Sequence, residues 1–100
     1  MSEKELPQLN TIIHSRVRLA IMSILISSRE VDFTFLKKST DTTDGNLSTH
    51  LSKLEEVGFI YIKKTFRGKK PLTTVSLTEK GREAFREYVL ALEQILPKNP

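Results

Sequence analysis

Apolar residues recur along this chain in blocks whose period changes from helical to alternating and back. Leu9, Ile12 and Ile13 open the pattern. Val17, Ala20, Ile21, Ile24 and Leu25 then follow the i, i+3, i+4, i+7 spacing of a core-facing helix, which we place at about 15–28 with Ser15 as its N-cap. Leu19, Met22 and Ile26 lie on another side of that helix, which predicts cover on two sides. Glu30-Val31-Asp32 reads as a short strand at a sheet edge. Residues 33–40 read as a short helix capped by Asp32, with Phe35 and Leu36 on its inner side.

After the polar turn Asp41-Thr42-Thr43, a third helix is predicted over about 44–57. Thr43 is its N-cap, and Leu47, Leu51 and Leu54 form its buried stripe. Gly58 ends it at the position where a left-handed residue is favoured. Phe59-Ile60-Tyr61-Ile62 begins a strand that continues weakly to Phe66. Residues 67–71, Arg-Gly-Lys-Lys-Pro, read as a turn, and residues 73–77 as the return strand. Thr78 caps a last helix running to about Leu96, before Pro97, with Gly81 weakening its first turn. The fold class is α+β, mainly α: a three-helix core, a small β-hairpin and a long C-terminal helix. No repeat or low-complexity segment interrupts the pattern. A domain over 9–96, with an arm at 1–8 and a tail at 97–100, is the expected organisation.

Composition excludes more than it proposes. One hundred residues suit one domain with a modest core. Zero cysteines leave no disulfide, no thiol nucleophile and no thiolate metal site, which fits a cytoplasmic protein. Two separated histidines, His14 and His50, suggest no metal cluster, and no cofactor is expected. No apolar run approaches the ~20 residues of a membrane span, and the N-terminus lacks the core of a signal peptide. Glu55 and Glu56 point in different directions on a helix, and no phosphate loop or Ser–His pair is recognisable, so an enzyme is not expected.

Charge is the informative term. The net charge is +4. Residues 1–60 hold seven basic and eight acidic groups, and residues 71–100 hold four of each. The excess therefore lies in residues 61–70, where Lys63, Lys64, Arg67, Lys69 and Lys70 surround Gly68 with no acid among them. A solvated face is the ordinary meaning of a charge run, but this one adjoins an unusual helix. The outer face of the third helix carries Gly45, Ser48, Thr49, Ser52, Lys53 and Glu56, with Asn46 on its flank. Short polar residues are poor helix formers, and small donors and acceptors let a helix approach base edges in the major groove. Lys53 joins them as a base-edge or phosphate candidate. The five hairpin cations are phosphate candidates, with Arg67 or a neighbouring lysine suited instead to a narrow minor groove. His50, at the edge of the buried side, reads as a packing or hydrogen-bonding residue, and Arg16 and Arg18 suit phosphate or plain solvent equally.

Two helices joined by a polar turn form a helix-turn-helix candidate, and the basic hairpin that follows makes the pattern more specific. Residues 43–60 and 63–71, with Leu77-Thr78-Glu79-Lys80-Gly81-Arg82, resemble the short single-domain winged-helix transcriptional regulators of the MarR/ArsR-like superfamily. The resemblance covers roughly residues 10–96 and implies a regulator that binds double-stranded DNA as a homodimer, with residues 44–51 inside the recognition helix. The cysteine motifs of metal-sensing relatives are absent. The candidate dimer surface is Leu19, Met22 and Ile26 of the first helix with Phe85, Tyr88, Val89, Leu92, Ile95 and Leu96 of the last. Two other functions compete: a winged-helix module that binds protein instead of DNA, and a regulator with a small-molecule pocket between the terminal helices.

Overall fold

A computed structural model describes residues 6–97. The rest of the proposed arm and tail, 1–5 and 98–100, lies outside the described residues. The elements are α1 (Arg16–Ile26), β1 (Val31–Asp32), α2 (Phe33–Thr40), α3 (Asp44–Glu56), β2 (Ile60–Arg67), β3 (Lys70–Leu77) and α4 (Glu79–Ile95). Their order is the one read from the sequence, and the three strands form one antiparallel sheet in the order β1-β3-β2.

Each helix begins where a side-chain oxygen satisfies a free backbone donor. Ser15, Asp32, Thr43 and Thr78 accept from the backbone N–H of Arg18, Phe35, Asn46 and Gly81 respectively. The end of α3 is equally defined. Gly58, at φ +80°, donates to the Glu55 carbonyl, and Phe59 donates to that of Leu54, the paired bonds of a Schellman motif. Before α1, the Asn10 side chain accepts from the N–H groups of Ile12 and Ile13, at 2.9 and 3.1 Å, and turns the chain so that Ile13 enters the core.

The core joins Ile13, Val17, Ile21, Met22 and Leu25 to Leu36, to Leu47, Leu51 and Leu54, and to Phe59, Ile60, Val75 and Tyr88. Two expected surface residues belong to it. Met22 is fully buried and Tyr88 nearly so, and the Tyr88 hydroxyl lies 2.8 Å from His14 Nδ1. Neither has surface left for a partner. Phe35 shows the opposite error: it is 53% exposed, and Leu36 alone of that pair is buried. In so short a helix adjacent residues lie about 100° apart, so one apolar neighbour faces outward.

The hairpin is longer and tighter than expected. Arg67 pairs with Lys70, leaving only Gly68 and Lys69 between the strands. Gly68 has φ +64° and Lys69 has no positive φ, the pattern of a type II′ turn with glycine first. Pro71 lies inside β3 opposite Phe66.

Gly81 also differs from its sequence reading. A Cβ built there would lie 2.0 Å from the Phe59 carbonyl oxygen. The helix rests directly on the backbone of the segment leaving α3, and Thr78 secures the contact. Its backbone N–H donates to the Phe59 carbonyl at 3.0 Å, and its hydroxyl donates to the Gly58 carbonyl at 2.6 Å. Alanine exceeds glycine in helix propensity by about 1 kcal/mol, but overpacking typically costs about 1–3 kcal/mol, and here the obstacle is backbone. Gly81→Ala is therefore expected to lower the unfolding free energy by about 1–2 kcal/mol net, read as a lower urea midpoint. A midpoint at or above that of the parent chain would remove this account of Gly81.

Candidate nucleic-acid interface

The outward face of α3 and the free end of the hairpin flank one cleft. Residues on paired strands share a face when they are directly opposite. Ile60, Ile62, Lys64 and Phe66 therefore share a face with Leu77, Val75, Thr73 and Pro71 respectively. The rooted end of that face enters the core through Ile60 and Val75. Farther out, Lys64 and Thr73 form one wall of a cleft of about 700 Å³. Asp44, Ser48, Ser52 and Glu55 of α3 form the other wall, with Phe33, Leu51 and Ile62 also lining it.

The α3 candidates are all exposed. Gly45, Asn46, Ser48, Thr49, Ser52 and Lys53 present short side chains and one cation to solvent. Thr43 is exposed but holds the N-cap, with its Oγ1 3.1 Å from the Asn46 N–H. Thr49 spends its hydroxyl proton on the Gly45 carbonyl at 3.0 Å, so its oxygen retains accepting capacity and its methyl group is free. Asp44 is held at the start of the helix by Lys37 of α2, 2.9 Å away, an exposed pair that ties the two helices together at the turn.

The hairpin cations divide between two faces. Lys64 looks into the cleft, whereas Lys63, Arg67 and Lys70 stand on the reverse face and Gly68-Lys69 forms the tip. All are exposed, and none makes an ion pair among the described residues. No acidic residue occurs between Glu56 and Glu79. The hairpin's own charge is therefore wholly positive, and Asp44 and Glu55 are the acids that line the cleft opposite Lys64.

A second positive area adjoins α3, away from the hairpin. The Arg18 guanidinium bridges the Ile12 carbonyl and His50, with Nη1 2.9 Å from His50 Nδ1. This bond requires a neutral imidazole whose Nδ1 accepts. Burial first, then the charges of Arg18, Lys53 and Arg16, hold the His50 pKa below its usual 6.5. The hydrogen-bonding role read for His50 is thus present, and Arg18 is a structural bridge. Arg16 and Lys53 are exposed beside it. The sequence concealed this grouping because the residues come from α1 and α3, and only the packing of those helices joins them.

Two further residues escaped the sequence reading. Phe66 is 69% exposed at the end of the cleft face, and Leu90 is 52% exposed on α4. Recognition of a two-residue turn at Gly68-Lys69 would have supplied the register that places Phe66 opposite Pro71. Leu90 falls off the 3–4 spaced stripe of α4, and that periodicity was the signal for its exposure.

A protein-family model described as a winged helix DNA-binding domain matches residues 17–96. The chain belongs to the winged-helix DNA-binding domain family. In those terms α2 and α3 are the helix-turn-helix and the β2–β3 hairpin is the wing. A relative of this winged-helix chain in Methanocaldococcus jannaschii, described as an uncharacterized protein, is 39% identical over 84 residues, covering 84% of this chain and 91% of the relative. The solved structure of a transcriptional regulator homologue from Pyrococcus horikoshii is 32% identical, with a TM-score of 0.78 over 84% of this chain and 83% of that one. A MarR-family transcriptional regulator from Silicibacter pomeroyi, 17% identical, shares the fold with a TM-score of 0.65 over 83% of this chain and 55% of its own. The winged-helix assignment and the fold class of the sequence reading are both correct, and the comparisons support a DNA-binding regulator, a non-enzymatic class. Among the described residues no helix is long and apolar enough to cross a membrane.

His50 gives a pH test of the support beneath α3. Its folded pKa is depressed, so the unfolded chain binds more protons below pH 6.5 and folding loses stability as pH falls through that region. The stability difference between the parent chain and His50→Gln is expected to move against the parent between pH 7 and pH 5, measured by urea unfolding at each pH. Parallel pH profiles would contradict the depressed pKa.

Proposed function

We propose that this protein is a dimeric, sequence-specific regulator of transcription that inserts α3 and its flanks, residues 43–57, into the major groove of double-stranded DNA. Its wing, residues 63–70, contacts the adjoining backbone or minor groove. The observation that carries this reading is the pairing, across one cleft, of an α3 face that sets Ser48 and Ser52 between Asp44 and Glu55 with a cationic hairpin that has no acid of its own. Ser48, Thr49 and Ser52 suit base edges, Asn46 suits a contact from the helix N-terminus, and Gly45 permits close approach. Lys53, Lys63, Lys64, Arg67, Lys69 and Lys70, with Arg16 beside α3, supply phosphate contacts, and Gly68 lets the tip turn sharply. Such a protein acts in the cytoplasm on chromosomal DNA.

One winged helix reads few base pairs, and a second copy doubles the site with matching symmetry. Terminal helices suit that contact, on a narrower surface than the sequence suggested. Phe85 and Leu92 pack against the chain's own core, as do Ala84 and Leu19. Leu90, Ile95 and Leu96 are exposed toward the C-terminal end of α4, with Val89 half-buried beside them and Ile26 half-buried at the end of α1. These are the residues we assign to the partner helix. Ile26 lies beside Arg82, nearer the start of α4, and Leu90 stands on a different side of the helix from Ile95 and Leu96; exposed apolar side chains spread this way on a small domain suit contact with a second copy.

Two measurements test the reading. Replacing Arg67, Lys69 and Lys70 together by alanine is expected to weaken binding to a selected genomic duplex at least tenfold at low salt. It should also reduce the slope of log affinity against log salt by about 2–3, near 0.9 for each phosphate no longer neutralised. Equal affinity and slope in anisotropy titrations would exclude the wing from the DNA contact. Separately, Leu90→Glu with Leu96→Glu is expected to convert a dimer to a folded monomer in sedimentation equilibrium. A persisting dimer would move the interface elsewhere.

A further inference from the structure

We propose that Phe66, paired with Pro71 at the end of the wing, is an apolar wedge that enters the minor groove and unstacks a base step of the bound DNA. This rests on the DNA-binding reading above and commits the wing to the groove floor as well as the backbone. Phe66 is 69% exposed, so it contributes little to the chain's own core. Its direction is set by register. Phe66 lies two residues beyond Lys64 on the same face of β2, the face that lines the cleft toward α3. At about 3.3 Å of rise per strand residue, its ring stands some 7 Å farther out than Lys64. The exposed Pro71 lies directly opposite, so the pair forms one small apolar surface.

The occupant of that surface follows from its surroundings. Lys64 shares its face, Lys69 lies at the tip, and Arg67 and Lys70 stand on the reverse face of the same narrow hairpin, with no acid between Glu56 and Glu79. A protein partner recognised through an apolar patch would meet these cations around the hairpin end. A duplex meets them with phosphates on both sides of its minor groove, while its base edges and stacked faces accept an apolar side chain. Groove-binding proteins commonly pair basic residues with such a wedge, which partly unstacks a step and kinks the duplex. The II′ turn favours insertion, because a two-residue connection leaves a narrow hairpin end with no loop to obstruct it.

The test compares the full chain with Phe66→Ala, Phe66→Leu and Arg67→Ala on a duplex selected by the parent protein. 2-Aminopurine is placed in turn at each step flanking the major-groove site. The parent is expected to raise 2-aminopurine emission at one step on each side of the site. Phe66→Ala should abolish that rise and bind about tenfold more weakly, the order of one base–aromatic stack, with its salt slope unchanged. Phe66→Leu keeps an apolar wedge and should retain most of both signals. Arg67→Ala should lower the salt slope by about 1. Parent protein that selects no DNA overturns the DNA-binding reading and this inference together. Parent binding with no emission change at any step overturns the wedge alone. So does Phe66→Ala that matches the parent, or Phe66→Leu that is as weak as Phe66→Ala.

Discussion

The approach of α4 to the Phe59 backbone is the contact on which the rest of this structure depends. Position 81 has room for glycine alone, because the Phe59 carbonyl occupies the space a Cβ would need. Thr78 closes the same junction three ways: its hydroxyl donates to Gly58 and accepts from Gly81, and its backbone donates to Phe59. The stop of α3, the root of β2, the end of β3 and the start of α4 therefore meet at one point. Because the stop at Gly58 also fixes where α3 ends, the angle between α3 and the wing is set there. The C-terminal helix is launched from the same junction, so the proposed dimer contact and the proposed DNA contact share one anchor.

Electrostatics imposes the second constraint. The wing carries its cations unpaired, and of the two acids that face it across the cleft, Asp44 is engaged and Glu55, among the described residues, is not. Asp44 is held by Lys37, and Glu83 by Arg86 on the exposed side of α4. Pairing the wing lysines internally would gain little at an exposed site and would remove the field that a polyanion senses. On the opposite flank of α3, Arg18 is withdrawn from solvent to brace His50, leaving Arg16 and Lys53 as the exposed charges. Positive charge thus borders α3 from both sides, through the hairpin on one and Arg16 with Lys53 on the other.

Much of the fold was legible because it is written locally. The four capping residues, the leucine stripe of α3 and the glycine at its end each act through neighbours within a few positions. What failed was written in three dimensions. Periodicity tells which side of a helix is apolar but not what covers it, so Met22 and Tyr88 were assigned to a partner when their own core takes them. Propensity marks Gly81 as a defect, since it cannot see the carbonyl that excludes a Cβ. Pro71 suggested the end of a turn. Its missing N–H is tolerated inside β3 because bonding pairs alternate along an antiparallel ladder. With Arg67 and Lys70 closing the turn, position 71 points its backbone nitrogen away from β2, where β1 does not reach. For the interface, the residue types were readable, but their division between two faces of the wing required the register.

That open edge has a consequence for how the protein meets copies of itself. β1 covers β3 only at Thr74 and Val75, so the outer half of β3 and the free side of β2 present unpaired backbone to solvent. Exposed strand edges invite another chain to add a strand and grow into aggregates. Here one edge has a proline where a donor would point outward, and both edges carry like-charged lysines or arginine that repel an identical hairpin. Strand-to-strand association between copies is thus disfavoured at the wing, which agrees with the helical contact proposed for a second copy.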